Sequence, residues 1–162
     1  MTDRQTDLRP GPFDLEIERR LAAPRSLVWR CWTETDHFEA WFAPKPVVTQ
    51  ALALDVRPGG AFDTAMTMPD GSRHEGYGCF LEVVDGERLV FTDAVSGGFR
   101  PNAAPFMTAI ITLSDIPEGT LYRALVLHKD EADKKKHEDM GFFDGWATAI
   151  DQLDALAQEL MQ

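Results

Sequence analysis

Over residues 140–161, apolar side chains recur at steps of three and four: Phe142, Phe143, Trp146, Ala149, Ile150, Leu153, Leu156, Ala157, Leu160 and Met161. At about 3.6 residues per turn they share one broad stripe, which predicts an amphipathic helix of about 20 residues and roughly 30 Å. Asp144, Thr148, Asp151, Gln152, Gln158 and Glu159 fall on the opposite side as a solvated back. So wide an apolar face needs a partner surface of similar length, and the upstream pattern reads as an antiparallel sheet.

Phe13, Leu15 and Ile17 alternate with Asp14, Glu16 and Glu18, and the pattern runs on to Leu21 as a half-buried strand. A short helix is predicted over residues 24–33, with Ser26 as its cap and Leu27, Val28, Cys31 and Trp32 at helical spacing. A second starts at Thr35 or Asp36 and runs through Phe42, where Pro44 and Pro46 stop it. Strands follow over residues 47–56, then a segment with Phe62, Thr64, Met66 and Met68 on one face, then residues 73–84, 89–95, 106–113 and 121–128. Turn residues cluster at 57–60, 69–71, 85–86 and 117–119, and residues 96–105 read as a surface loop. Gly76 and Gly78, inside a strand pattern, point to a bend or a close backbone approach. Residues 130–139 are charged and helical, leading into the long helix. Residues 1–12 read as a loose tail and 13–162 as a single α+β domain.

Charge and cysteine use narrow the function classes. Sixteen Lys and Arg against 27 Asp and Glu give a net charge of -11, which opposes a nucleic-acid partner. The basic run at Lys134, Lys135 and Lys136 is flanked by acidic residues and reads as a helical turn with local ion pairs. No apolar run approaches the roughly 18 residues of a membrane span, and the first residues lack a signal-peptide core, so a cytoplasmic protein is expected. Cys31 and Cys79 sit in apolar surroundings and read as buried free thiols.

A family resemblance enters through ordered motifs. Ala23-Pro24-Arg25-Ser26-Leu27-Val28-Trp29 with Trp32-Thr33, then Trp41-Phe42-Ala43-Pro44, resembles the opening of proteins similar to the activator of the heat-shock protein 90 ATPase. Arg57-Pro58-Gly59-Gly60-Ala61-Phe62, Asp70-Gly71, Gly78, Glu87-Arg88-Leu89-Val90-Phe91-Thr92 and Gly145-Trp146 continue the pattern in order. The resemblance implies the START-like, or SRPBCC, helix-grip fold. In it, a curved antiparallel sheet wraps around a long C-terminal helix, with two short helices after the first strand, and encloses an elongated apolar cavity. It also brings a stress-response setting and a chaperone partner into view.

Trp41, Phe62, Met66, Met68, Phe91, Phe142, Phe143 and Trp146 are the expected lining of such a cavity, a composition suited to a small apolar molecule. Gly145 beside Trp146 calls for close packing or for room, since glycine inside a helix costs about 1 kcal/mol relative to alanine. Ligand spacing for a metal is missing around the four histidines, and no P-loop, dinucleotide fingerprint or serine elbow occurs, so neither metal nor cofactor is expected. His37, Asp93 and His128 are the candidate proton carriers should the cavity host cyclase, hydratase or isomerase chemistry. His74 and His137 read as solvated. The expected reading is thus a ligand-binding module, with enzyme and co-chaperone as alternatives, as a monomer or homodimer.

Overall fold

A computed structural model describes residues 9–162. Residues 1–8 of the expected tail lie outside the described residues. The chain runs β1 (Asp14–Leu21), α1 (Arg25–Thr33), α2 (Thr35–Trp41), β2 (Val48–Leu54), β3 (Ala61–Thr67), β4 (Arg73–Val84), β5 (Arg88–Thr92), β6 (Val95–Ser96), β7 (Arg100–Pro101), β8 (Thr108–Ile116), β9 (Gly119–Leu127), α3 (Glu131–Asp139) and α4 (Phe142–Glu159). Seven strands form one antiparallel sheet in the order β1-β9-β8-β5-β4-β3-β2. Because β1 returns to pair with β9, Leu15 opposite Val126 and Ile17 opposite Ala124, the sheet edges are the first two strands of the chain.

The sheet bends where its ladders slip. Register shifts occur between Ala51 and Ala53 on β2 and between Phe80 and Glu82 on β4, and such bulges tighten local twist. At the first, the Ala51 N–H donates to the Glu39 carboxylate at 2.7 Å, so α2 satisfies a donor that the ladder leaves free. Gly78 has the close backbone approach read from its position: a Cβ there would lie 2.6 Å from the Thr92 carbonyl oxygen. On the concave side, α4 packs against α1, α2 and β1.

An aromatic cluster joins the short helices to the sheet. Trp32, fully buried, meets Trp41 edge-on at 5.0 Å between ring centres and Phe91 at 5.6 Å. Phe62 stacks on Phe80 at 5.0 Å. The indole N–H of Trp32 donates to the Tyr122 hydroxyl at 3.0 Å, and that of Trp41 to the Cys31 carbonyl at 2.8 Å. Both indoles thereby bury their area without an orphaned donor. Cys31 and Cys79 are buried free thiols, and burial pushes the Cys31 thiol up to about 11, which keeps it protonated and unreactive.

Several local expectations change. Ser26 lies inside α1, and its start at Pro24 carries no side-chain cap. The strand expected over 89–95 ends at Thr92, because the Thr92 hydroxyl turns back to receive the Ala94 N–H. Beyond it, β6 and β7 form a two-stranded ribbon inside the expected loop. Met68 falls past the end of β3 and opens the hairpin turn, its N–H donating to the Ser72 carbonyl. The long helix begins only at Phe142, since Gly141 sits at φ 91° and separates it from α3. Gln152 does not face solvent. Its amide donates to the Trp41 and Ala43 carbonyls and accepts from the Lys45 N–H, tying α4 to the end of α2. Among the described residues, no helix is long and apolar enough to cross a membrane.

Candidate functional site

Where α4 spans the concave sheet, the two surfaces do not close on each other. They leave a cavity of about 470 Å³, within the range of about 300–1,000 Å³ for small-molecule sites. Its floor is the aromatic cluster: Trp32, Trp41, Phe62, Phe91 and Tyr122. The roof is the α4 face carrying Phe142, Gly145, Trp146, Ala149 and Ile150. Met66 and Thr64 on β3 and Met107 before β8 extend the walls, while exposed Tyr77 and Met140 stand at the rim. A Cβ built on Gly145 would meet nothing among the described residues within 4 Å, apart from its chain neighbours and the helix's own backbone. Of the two explanations for a mid-helix glycine, room therefore applies and close packing does not.

Six of the eight expected lining residues, Trp41, Phe62, Met66, Phe91, Phe142 and Trp146, border this space. Met68 does not, because it lies in the turn after β3. Phe143 does not either. It sits at the margin of the helical stripe and is 47% exposed, as is Met161 at 57%. Large side chains that border the space beyond those expected include Tyr77, Phe106, Met107 and Tyr122, on strands or a loop whose facing depends on the curvature of the sheet, and Trp32, Phe42 and Met140, on or beside the helices.

The polar candidates separate more sharply. His37 lies outside the cavity, on α2, with its ring 3.4 Å from the Glu34 carboxylate. Asp93 borders the cavity, and its Oδ1 accepts the backbone N–H groups of Phe106 at 2.8 Å and Met107 at 3.0 Å. It thus pins the loop entering β8 while remaining in the wall. His128 is buried just outside the main cavity. Its Nδ1 lies 2.9 Å from the Phe13 carbonyl oxygen, and its Nε2 lies 2.9 Å from His137 Nδ1.

His137, expected to be solvated, is instead buried and lines the cavity. Its place in a charged run concealed this, because α3 folds that residue inward against Phe106 and Phe142. Burial, with the neighbouring His128 ring, brings His137 down from 6.5 to about 4. Below pH 6.5 the unfolded chain therefore takes up a proton that the folded chain refuses, so stability falls as pH drops from 6.5 towards 4. The loss is expected to reach about 2 kcal/mol at pH 5. Urea denaturation at pH 7.5 and 5.0 checks it, with His137→Phe expected to lack this increment. Among the described residues, no group of three or more His, Cys, Asp or Glu is placed to hold a metal ion.

A curved seven-stranded sheet gripping a C-terminal helix, with two short helices after β1 and an apolar cavity between the layers, defines a START-like helix-grip protein. Residues 22–158 match the family model described as activator of Hsp90 ATPase homolog 1-like protein, and the chain belongs to that family. Among solved structures, a protein from Nitrosomonas europaea is 42% identical with a TM-score of 0.88, covering 91% of this chain and 96% of that one. One from Mycobacterium smegmatis is 27% identical with a TM-score of 0.76, covering 89% and 90%. An AHSA1-like protein from Aeromonas hydrophila, at 19% identity and a TM-score of 0.69, covers 91% and 93% and shares the fold. No curated protein matches the chain.

Proposed function

We propose that this protein is a binding module for one small, predominantly apolar molecule, held between the concave sheet and α4. The observation carrying this reading is the open space beneath Gly145, walled by aromatic and methionine side chains. A helix that gives up about 1 kcal/mol at Gly145 leaves volume where an alanine or leucine would otherwise fill the core. Retention of a compound through native mass spectrometry, at close to one per chain in protein purified from cells, is the expected result. An empty protein that also takes up no apolar fluorescent probe at a saturable site would overturn the reading.

The family description supports a second reading, contact with a heat-shock protein 90-type ATPase in the cytoplasm. An acidic chain of net charge -11 favours partners with a basic patch. In a purified mixture this reading requires both association and a changed rate of ATP turnover, and the absence of both removes it for the ATPase tested.

A further inference from the structure

The buried histidine pair sets the polarity of one end of the cavity. The Phe13 carbonyl can only accept, so His128 Nδ1, 2.9 Å away, carries a proton. With His128 neutral, its Nε2 is a lone pair, and His137 Nδ1, also 2.9 Å away, is the donor to it. A neutral His137 has no second proton, so its own Nε2 is left as an acceptor. That atom has no partner among the described residues, it lies on the ring edge turned away from His128, and the ring borders the cavity. Phe106 and Phe142, with ring centres 5.1 and 4.9 Å from that of His137, hold its orientation. Burial keeps His137 uncharged at neutral pH, so the acceptor persists there.

The wall beside it is also an acceptor. Asp93 spends Oδ1 on two backbone N–H groups, and its Oδ2 has no partner among the described residues. Among the described residues, no lysine or arginine lines the cavity. Two ammonium groups lie near this end but outside the lining: Lys129, whose charge reaches Asp93, donates to the Asp133 carboxylate and the Pro105 carbonyl, and Lys136 lies 5.6 Å from the centre of the Phe106 ring. An anionic headgroup would meet a carboxylate and an imidazole lone pair, with no lysine or arginine among the described lining residues to balance it. We infer that the cavity takes a neutral apolar molecule bearing a hydrogen-bond donor, an alcohol or phenol, whose O–H is received by His137 Nε2. The inference rests on the cavity reading above and adds the class of ligand to it.

Three probes of one shape test it at pH 7.5 by calorimetry: 2-naphthol, 2-methylnaphthalene and 2-naphthoate, against the wild-type protein and His137→Phe. The substitution is expected to weaken 2-naphthol about five- to tenfold and to leave 2-methylnaphthalene within about twofold. On the wild type, naphthoate is expected to bind at least about tenfold more weakly than naphthol. Should His137→Phe fail to fold, the wild type still decides the matter. In long-range proton–nitrogen spectra, the His137 Nε2 resonance moves with naphthol and stays in place with methylnaphthalene. Naphthol binding that is indifferent to His137, no response at Nε2, or naphthoate binding as tightly as naphthol overturns the donor assignment. If methylnaphthalene still binds in those cases, the cavity reading stands. Failure of all three probes to bind removes both.

Discussion

Gly145→Phe is expected to abolish binding of apolar probes, lowering affinity at least tenfold, in a protein that still folds. The two halves of this expectation have separate causes. Beyond the helix's own backbone and its chain neighbours, a Cβ added at position 145 meets no atom of the described residues within 4 Å, so the new ring enters the cavity rather than displacing backbone. The helix itself gains, because any ordinary residue is a better helix former than glycine. Gly145→Ala isolates that gain: it should raise unfolding free energy by up to about 1 kcal/mol and leave most of the cavity open. Urea denaturation and a fluorescent-probe titration on both variants give the comparison. A Gly145→Phe protein that binds like wild type would show that the space beneath α4 is not where the ligand sits.

The largest loss of stability is expected at Trp32. Its ring is 1% exposed and lies within 6.5 Å, centre to centre, of Phe38, Trp41, Phe42, Phe62 and Phe91. Trp32→Ala opens a void that such rings cannot collapse into, which typically costs about 3–5 kcal/mol. It also removes the N–H donated to the Tyr122 hydroxyl. Against a total stability of about 5–15 kcal/mol, that is enough to unfold a substantial fraction of the chain under mild denaturant. Tyr122→Phe keeps the ring and deletes only the hydroxyl, so its expected loss is about 1 kcal/mol. The ratio of the two in equilibrium urea unfolding is the diagnostic. Comparable small losses would mean that the cluster is not packed as described.

Periodicity was a good guide wherever an element buries one continuous face. The alternation in β1 and the three-and-four spacing of α4 were both legible because each pattern reports directly which side meets the core. It was a poor guide at margins. Phe143 and Met161 belong to the apolar stripe by count, yet Phe143 sits at its margin in the first turn of α4 and Met161 lies past the last helical residue, Glu159, and both are exposed. Gln152 is polar and its spacing assigns it to the outer face, but the end of α2 offers it two carbonyls and an N–H.

The cavity was legible in composition and not in geometry. Aromatic and methionine residues marked which elements would wall it, and the glycine beside Trp146 marked the spot where α4 stands clear. Nothing local distinguished His137 from its charged neighbours, or His37 from a cavity residue. Their difference arises because α3 closes one end of the layers and brings His137 and His128, nine residues apart, to 2.9 Å, while α2 turns His37 towards Glu34.

Residue order alone, then, is enough for the α+β class, the helix-grip arrangement and the apolar character of the interior, because these follow from side-chain periodicity and from the family motifs. The polar end of the cavity is decided only on folding. Hydrogen bonds between groups distant in sequence, Phe13 to His128 and Asp93 to Phe106, determine which lone pairs remain unused, and local spacing does not encode those distances.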